Sequence, residues 1–123
     1  MENQRNTYTI YDNKELGEVL ISEDVIAVIS AMAAMEVDGV VAMAGNVTAE
    51  IIAKLGMKKL SKGVRVDVDE NNVMIDLSII LKMNEKILET SQKIQEKVKT
   101  TVENMTGLEV VNINVYISSV AVN

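Results

Sequence analysis

Histidine, cysteine, proline, phenylalanine and tryptophan are all missing from this 123-residue chain, and tyrosine occurs only three times. Without cysteine there are no disulfides, thiolate nucleophiles or sulfur metal sites. Without histidine the commonest metal ligand and the usual general base are gone as well. Most enzyme classes fall with them, so the chain is read as non-enzymatic, with no catalytic residue, no metal site and no cofactor. No run of about twenty apolar residues exists, which argues against direct membrane insertion. The first sixteen residues lack the basic and apolar regions of a secretory signal, so a cytoplasmic location is expected. The phosphate-cradling patterns G-x-G-x-x-G and G-x-x-x-x-G-K-[ST] are also absent.

What is present is aliphatic. Hydrophobic residues make up 48% of the chain, eight of them Met, and charged residues 24%, a balance that supports one folded core and leaves no room for a second domain. The net charge of −6 is unevenly spread. Residues 1–40 carry −6 and residues 66–123 carry −4, whereas residues 41–65 carry +4, from Lys54, Lys58, Lys59, Lys62 and Arg65 against Glu50. An acidic protein is repelled by nucleic acid and anionic lipid, so only this basic patch is a candidate for contact with either. Solvated lysines are the plain alternative. No aromatic residue is interleaved with the basic ones, and no G-x-x-G loop is present, which argues against nucleic acid as a partner.

Periodicity gives an order of elements. Residues 1–16 are polar and are taken as a flexible leading segment, although Thr7-Tyr8-Thr9-Ile10-Tyr11 is suited to adding a strand at an edge. Residues 17–123 form a single domain. Gly17–Ile21 reads as a strand, and Ser22 caps a helix that runs to about Val37, carries Glu23 and Asp24 in its first turn and stops at Gly39. Residues 40–43 form a short extended segment, and Thr48–Leu55 a brief helix ended by Gly56. Two alternating strands follow, with Val64, Val66 and Val68 facing one way on the first and Val73, Ile75, Leu77, Ile79 and Leu81 on the second. Pairing Val66 with Ile75 sets Arg65 opposite Asp76; sliding by two would oppose Asp67 to Asp76, a like-charge contact. From Lys86 to Met105 an apolar stripe of Ile87, Ser91, Ile94, Val98, Val102 and Met105 predicts a second long helix, with Asn84 as its N-cap and Gly107 just past its end. A last strand turns Val111, Ile113, Val115 and Ile117 to the core. The fold class is α+β: two layers, a mixed or antiparallel sheet of four to five strands, covered on one face by two main helices.

Among these elements the first helix stands apart. Between Val25 and Met35 its only polar residue is Ser30. Val25, Ile26, Val28, Ile29, Met32 and Met35 share one broad arc, while Ala27, Ser30, Ala31 and Ala34 fill the rest. With the bulky arc assigned to the core, the small face of Ala27, Ser30, Ala31 and Ala34 is either ordinary alanine-rich surface or a protein contact face, since small uncharged residues permit close approach and are cheap to desolvate. The acids Asp67, Asp69, Glu70 and Asp76 fall on strand faces and at a turn, without the ligand spacing of a calcium loop.

Taken in order, Gly17-Glu18-Val19-Leu20-Ile21-Ser22-Glu23-Asp24-Val25-Ile26 and Ala33-Ala34-Met35-Glu36-Val37-Asp38-Gly39-Val40 resemble the alkaline shock protein family, envelope-stress proteins of Gram-positive bacteria. So do Leu55-Gly56, Lys62-Gly63-Val64, Ile75-Asp76-Leu77, Ile94-Gln95 with Val98, and Val102-Glu103-Asn104-Met105-Thr106-Gly107-Leu108. The resemblance spans residues 17–120. It implies a non-enzymatic cytosolic protein linked to cell-envelope stress, which self-associates and is held at the membrane through an integral membrane partner of related sequence. Two other classes stay open from the residues alone: an accessory or regulatory subunit of a cytosolic metabolic enzyme, and a small RNA-binding α+β module.

Overall fold

A computed structural model describes residues 7–55 and 63–122. The elements in chain order are β1 (Thr7–Asn13), β2 (Gly17–Ser22), α1 (Glu23–Met35), β3 (Val40–Met43), α2 (Ala49–Leu55), β4 (Val64–Asp69), β5 (Asn72–Lys82), α3 (Ile87–Thr106) and β6 (Glu109–Ala121). The class is the expected one: a mixed four-stranded sheet with its helices on one face, joined by a separate two-stranded hairpin.

β5 is the centre of the main sheet. It pairs in parallel with β6 along its whole length, which requires a crossover, and α3 supplies it. Its other edge is shared end to end, antiparallel, by β4 (Val64 opposite Leu77) and β3 (Val40 opposite Leu81). Ser78 sits at the join: its N–H donates to Gly63 O at 2.8 Å and its O accepts from Ala44 N at 2.9 Å. Val66 opposes Ile75 and Arg65 opposes Asp76, the register that charge favours. Val73, Ile75, Leu77, Ile79 and Leu81 are all buried under the helices, each fully buried aliphatic side chain contributing about 1.5–3 kcal/mol. α1 packs against β3 and β4, α3 against β6, and the two helices against each other.

Four expectations need correcting. The leading segment is not unstructured over 7–13: β1 pairs antiparallel with β2, the turn between them closing on Gly17 at φ +110°, and Ile10 and Ile21 pack on the core. Residues 1–6 lie outside the described residues. In β6 the core position goes to Val110, not Val111, because an extra residue bulges between the pairs Val73–Val110 and Met74–Asn112 and turns Val111 outward. In α3 the buried stripe is Thr90, Ile94, Val98, Val102 and Thr106, a strict four-residue spacing that leaves Ile87 and Met105 exposed at the two ends. The burial of Thr106 is satisfied: its hydroxyl donates to Val102 O at 2.7 Å and accepts from Leu108 N at 3.1 Å. Asn84 is not the cap; it adopts φ +76° in the preceding turn, and α3 begins after Lys86 with no side-chain cap. Its other end is as expected, with Gly107 at φ +77° donating to Glu103 O.

Candidate protein-interaction surface

Ser22 starts α1 as the sequence indicates, its Oγ accepting from Val25 N at 3.2 Å, with Glu23 and Asp24 in the first turn. The rotation of the helix about its axis differs from the expected one: of the bulky arc Ile26 is fully buried and Val28, Ile29 and Met35 pack partly on the core, while Val25 and Met32 turn outward. Ala27, Ser30, Ala31 and Ala34, singled out as an outward contact face, are all buried, together with Ile26 and Ala33. Apart from Ile26 the buried side of α1 is made of alanines and one serine, small residues that let a helix seat closely against its neighbours. Ser30 is accommodated by donating its hydroxyl to Ile26 O at 2.8 Å, one turn back.

The consequence is a bulky outer face. Val25 is 45% and Met32 36% exposed, and Val28 and Ile29 between them are half-buried. On a 100° wheel these four fall within a third of a turn, a continuous apolar stripe with no charge from Val25 to Met35. The residues expected to face outward, Ala27, Ser30, Ala31 and Ala34, are therefore not surface residues. The useful signal was the missing charge, and the misleading one was side-chain size.

The basic patch is described only in part. Lys54 is exposed in the last turn of α2, and Arg65 is exposed on the uncovered face of the sheet, laterally opposite Asp76, which offsets its charge. Lys58, Lys59 and Lys62 lie outside the described residues. The acids behave as solvated groups: Asp76 accepts from Asn114 Nδ2 at 2.8 Å, and no cluster of three or more acidic, His or Cys side chains fit to hold a metal occurs among the described residues. The groove between the end of α1 and α3, lined by Glu36, Val37, Asp38, Lys93 and Lys97, is bridged by an ion pair of Lys97 Nζ with Glu36 at 3.1 Å. It holds no nucleophile with an adjacent base.

Two polar clusters tie the periphery down. Tyr8 on β1 donates its hydroxyl to Glu23 Oε2 at 3.1 Å; partial burial first, then the negative charge of Glu23, raises the Tyr8 pKa. Along β6, three side chains of α3 bracket the strand's backbone. Gln95 Nε2 donates to Ile113 O at 2.9 Å, Lys99 Nζ to Val110 O at 2.8 Å, and Val110 N donates to Glu103 Oε2 at 3.0 Å. The Lys99 ammonium, then the Val110 N–H, lower the Glu103 pKa. These brackets were not foreseen, because nothing in the sequence marks a polar helix residue that bonds to a strand edge.

No helix among the described residues is long and apolar enough to cross a membrane. The chain is 35% identical over 107 residues to YqhY of Bacillus subtilis strain 168, covering 87% of this chain and 79% of that protein. It is 34% identical to YloU of the same organism (86% and 90% covered) and 32% identical to Spy1614 of Streptococcus pyogenes serotype M6 (93% and 96%). Among solved structures, MamM-CTD E289A superposes with a TM-score of 0.50 at 14% identity, covering 79% of this chain and 98% of that one, a likeness of fold alone. Residues 11–122 match the alkaline shock protein family, described as having a cell envelope-related function, and the chain therefore belongs to that family.

Proposed function

We propose that this protein is a non-enzymatic, self-associating interaction protein of the cytoplasmic side of the cell envelope, brought to the membrane by an integral membrane partner. The observation that carries the reading is the outer stripe of α1. A helix that is apolar on both faces is normally covered on both, and here the outer face is not: Val25 and Met32 are exposed, flanked by Val28 and Ile29, which are partly buried against the core. Burying such a stripe costs no charge desolvation, and the envelope-related family supplies the cellular setting. The residues available for chemistry fit this reading: with no His or Cys, the chain has neither the usual general base nor a thiolate.

The test has two readouts. Sedimentation of the purified protein measures self-association, and affinity capture from detergent-solubilised membranes, with quantification of integral membrane proteins, measures recruitment. Met32→Lys and Val25→Glu are expected to retain the wild-type melting temperature and lose the membrane protein. If both variants capture it as well as wild type, the α1 face is not the docking surface. A wild-type protein that neither self-associates nor captures any membrane protein would refute the function itself.

A further inference from the structure

From the bracketed edge of β6 we infer a specific homodimer contact: two copies pair antiparallel through residues 114–118, with Tyr116 on the two-fold axis. The inference rests on the self-association proposed above and names the surface that carries it. β6 pairs with β5 and with no other described strand, so one of its edges is open. Proteins normally guard such an edge with charge, proline or a cover. Here residues 110–122 contain no Asp, Glu, Lys, Arg or Pro, although the chain as a whole carries −6.

The guard that does exist is local. Gln95, Lys99 and Glu103 occupy the backbone of Val110 and Ile113, and among the described residues no α3 side chain reaches the backbone beyond Ile113. A second register shift, between Ile79–Ile117 and Ile80–Ser119, inserts Ser118 as an extra residue and ends the regular run. The open window is therefore short, bounded by a side-chain bracket at 113 and a bulge at 118, and Tyr116 is its middle.

A neutral window in an acidic protein is best matched by itself. Because Ile113 O points outward to Gln95, alternation points the backbone groups of Val115 and Ile117 outward as well. An antiparallel two-fold at Tyr116 sets Val115 opposite the partner's Ile117, and those pairs exchange the outward hydrogen bonds. Asn114 meets the partner's Ser118, and Tyr116 meets the partner's Tyr116 on the uncovered face, where it is 66% exposed. No like charges oppose one another anywhere in this register. On the helix side, Leu88 lies seven residues before Gln95 on the same face of α3, about 10 Å along the axis and so alongside the window, and it is 72% exposed. Pairing would cover it together with the half-buried Val115 and Ile117.

The chain lacks cysteine, so single-cysteine variants report the contact without background. Opposite residues at a non-hydrogen-bonded site lie about 4.5 Å apart, within disulfide range, so Tyr116→Cys is expected to form a covalent dimer under mild oxidation. Asn112→Cys, whose two copies would sit about 27 Å apart in this register, is expected to stay monomeric. Tyr116→Lys, on an exposed side chain, is expected to keep the wild-type melting temperature and raise the dimer dissociation constant about tenfold. Wild-type association without a Tyr116→Cys crosslink, and with no effect of Tyr116→Lys, overturns this contact and leaves the self-association reading standing. A strictly monomeric wild type overturns both.

Discussion

Ala31 offers the sharpest test of how α1 is seated. It is fully buried among Ile26, Ala27 and Ala34 in the core cluster, whereas its neighbour Met32 is 36% exposed. Ala31→Leu adds three carbons where α1 meets α3 and the sheet, and overpacking of that kind costs about 1–3 kcal/mol. For a domain of this size about 1 kcal/mol corresponds to roughly 4 °C, so a central value near 2 kcal/mol lowers the melting temperature by about 8 °C. Ala31→Glu adds bulk and an unpaired carboxylate, a loss of several kcal/mol that takes most of the stability a domain of this size possesses. Met32→Lys, one residue on, should stay within about 0.5 kcal/mol, or roughly 2 °C. Urea and thermal unfolding at low protein concentration keep association out of the measurement. If Ala31→Glu melts with wild type, the small face is exposed after all and α1 is seated with the opposite rotation about its axis.

Three further outcomes follow from particular side chains. Val98→Asp places a carboxylate at a fully buried position of α3 and should cost several kcal/mol by denaturant unfolding, whereas Lys97→Glu loses a solvent-exposed ion pair with Glu36 and should cost no more than about 1 kcal/mol; equal losses would mean the helical phase of α3 is wrong. Tyr8 has its pKa raised from the usual 10.0, so the unfolded chain releases the phenolic proton first; its stability contribution is complete below pH 10 and falls as pH rises through the folded value. Tyr8→Phe should therefore flatten the alkaline limb of the stability–pH curve, and an unchanged limb would count against the Tyr8–Glu23 contact. Gly107→Ala should cost about 1 kcal/mol in thermal melts, purely from the left-handed backbone at φ +77°, since an added methyl group would meet nothing within 4 Å; a neutral substitution would contradict that cap geometry.

What the sequence disclosed depended on whether one physical signal stood alone. The β4–β5 register was legible because Arg65 and Asp76 gave charge a vote that hydrophobicity could not override. The C-terminal end of α3 was legible because Gly107 has one conformational task. α1 failed differently: with both faces apolar, the pattern had no polar side to fix its rotation, and size was used as a substitute. Size misled because closeness of approach, not volume, governs which face of a helix fits a crowded seat. In β6 the two extra residues, Val111 and Ser118, leave no compositional trace, so strict alternation carried the expected core one residue off at Val111. The bulky arc of α1 is legible in the sequence, but its direction is not: Ile26 points to the core while Val25 and Met32 face outward.

The α1 stripe and the β6 window sit on opposite flanks of one sheet. α1 lies over β3 and β4, on one side of β5, and the open edge of β6 lies on the other. A second copy added at that edge extends the sheet away from α1 and leaves the stripe of Val25, Val28, Ile29 and Met32 uncovered on both copies. A two-fold at Tyr116 continues the sheet with both sets of helices on the same face, so the two stripes point to the same side. On the function proposed above, a partner fixed in the membrane at sufficient density would meet such a pair twice. The second engagement would be intramolecular, at an effective concentration in the mM range for a short separation, and would hold the pair far more tightly than one stripe would hold one copy. Tyr116→Lys, which touches nothing on α1, should therefore weaken capture by membranes carrying the partner, while Met32→Lys should abolish capture and leave pairing intact. Quantitative co-sedimentation with such membranes at graded partner density distinguishes the cases. If Tyr116→Lys binds as tightly as wild type at every density, pairing through β6 contributes nothing to recruitment, and each copy reaches the membrane on its own.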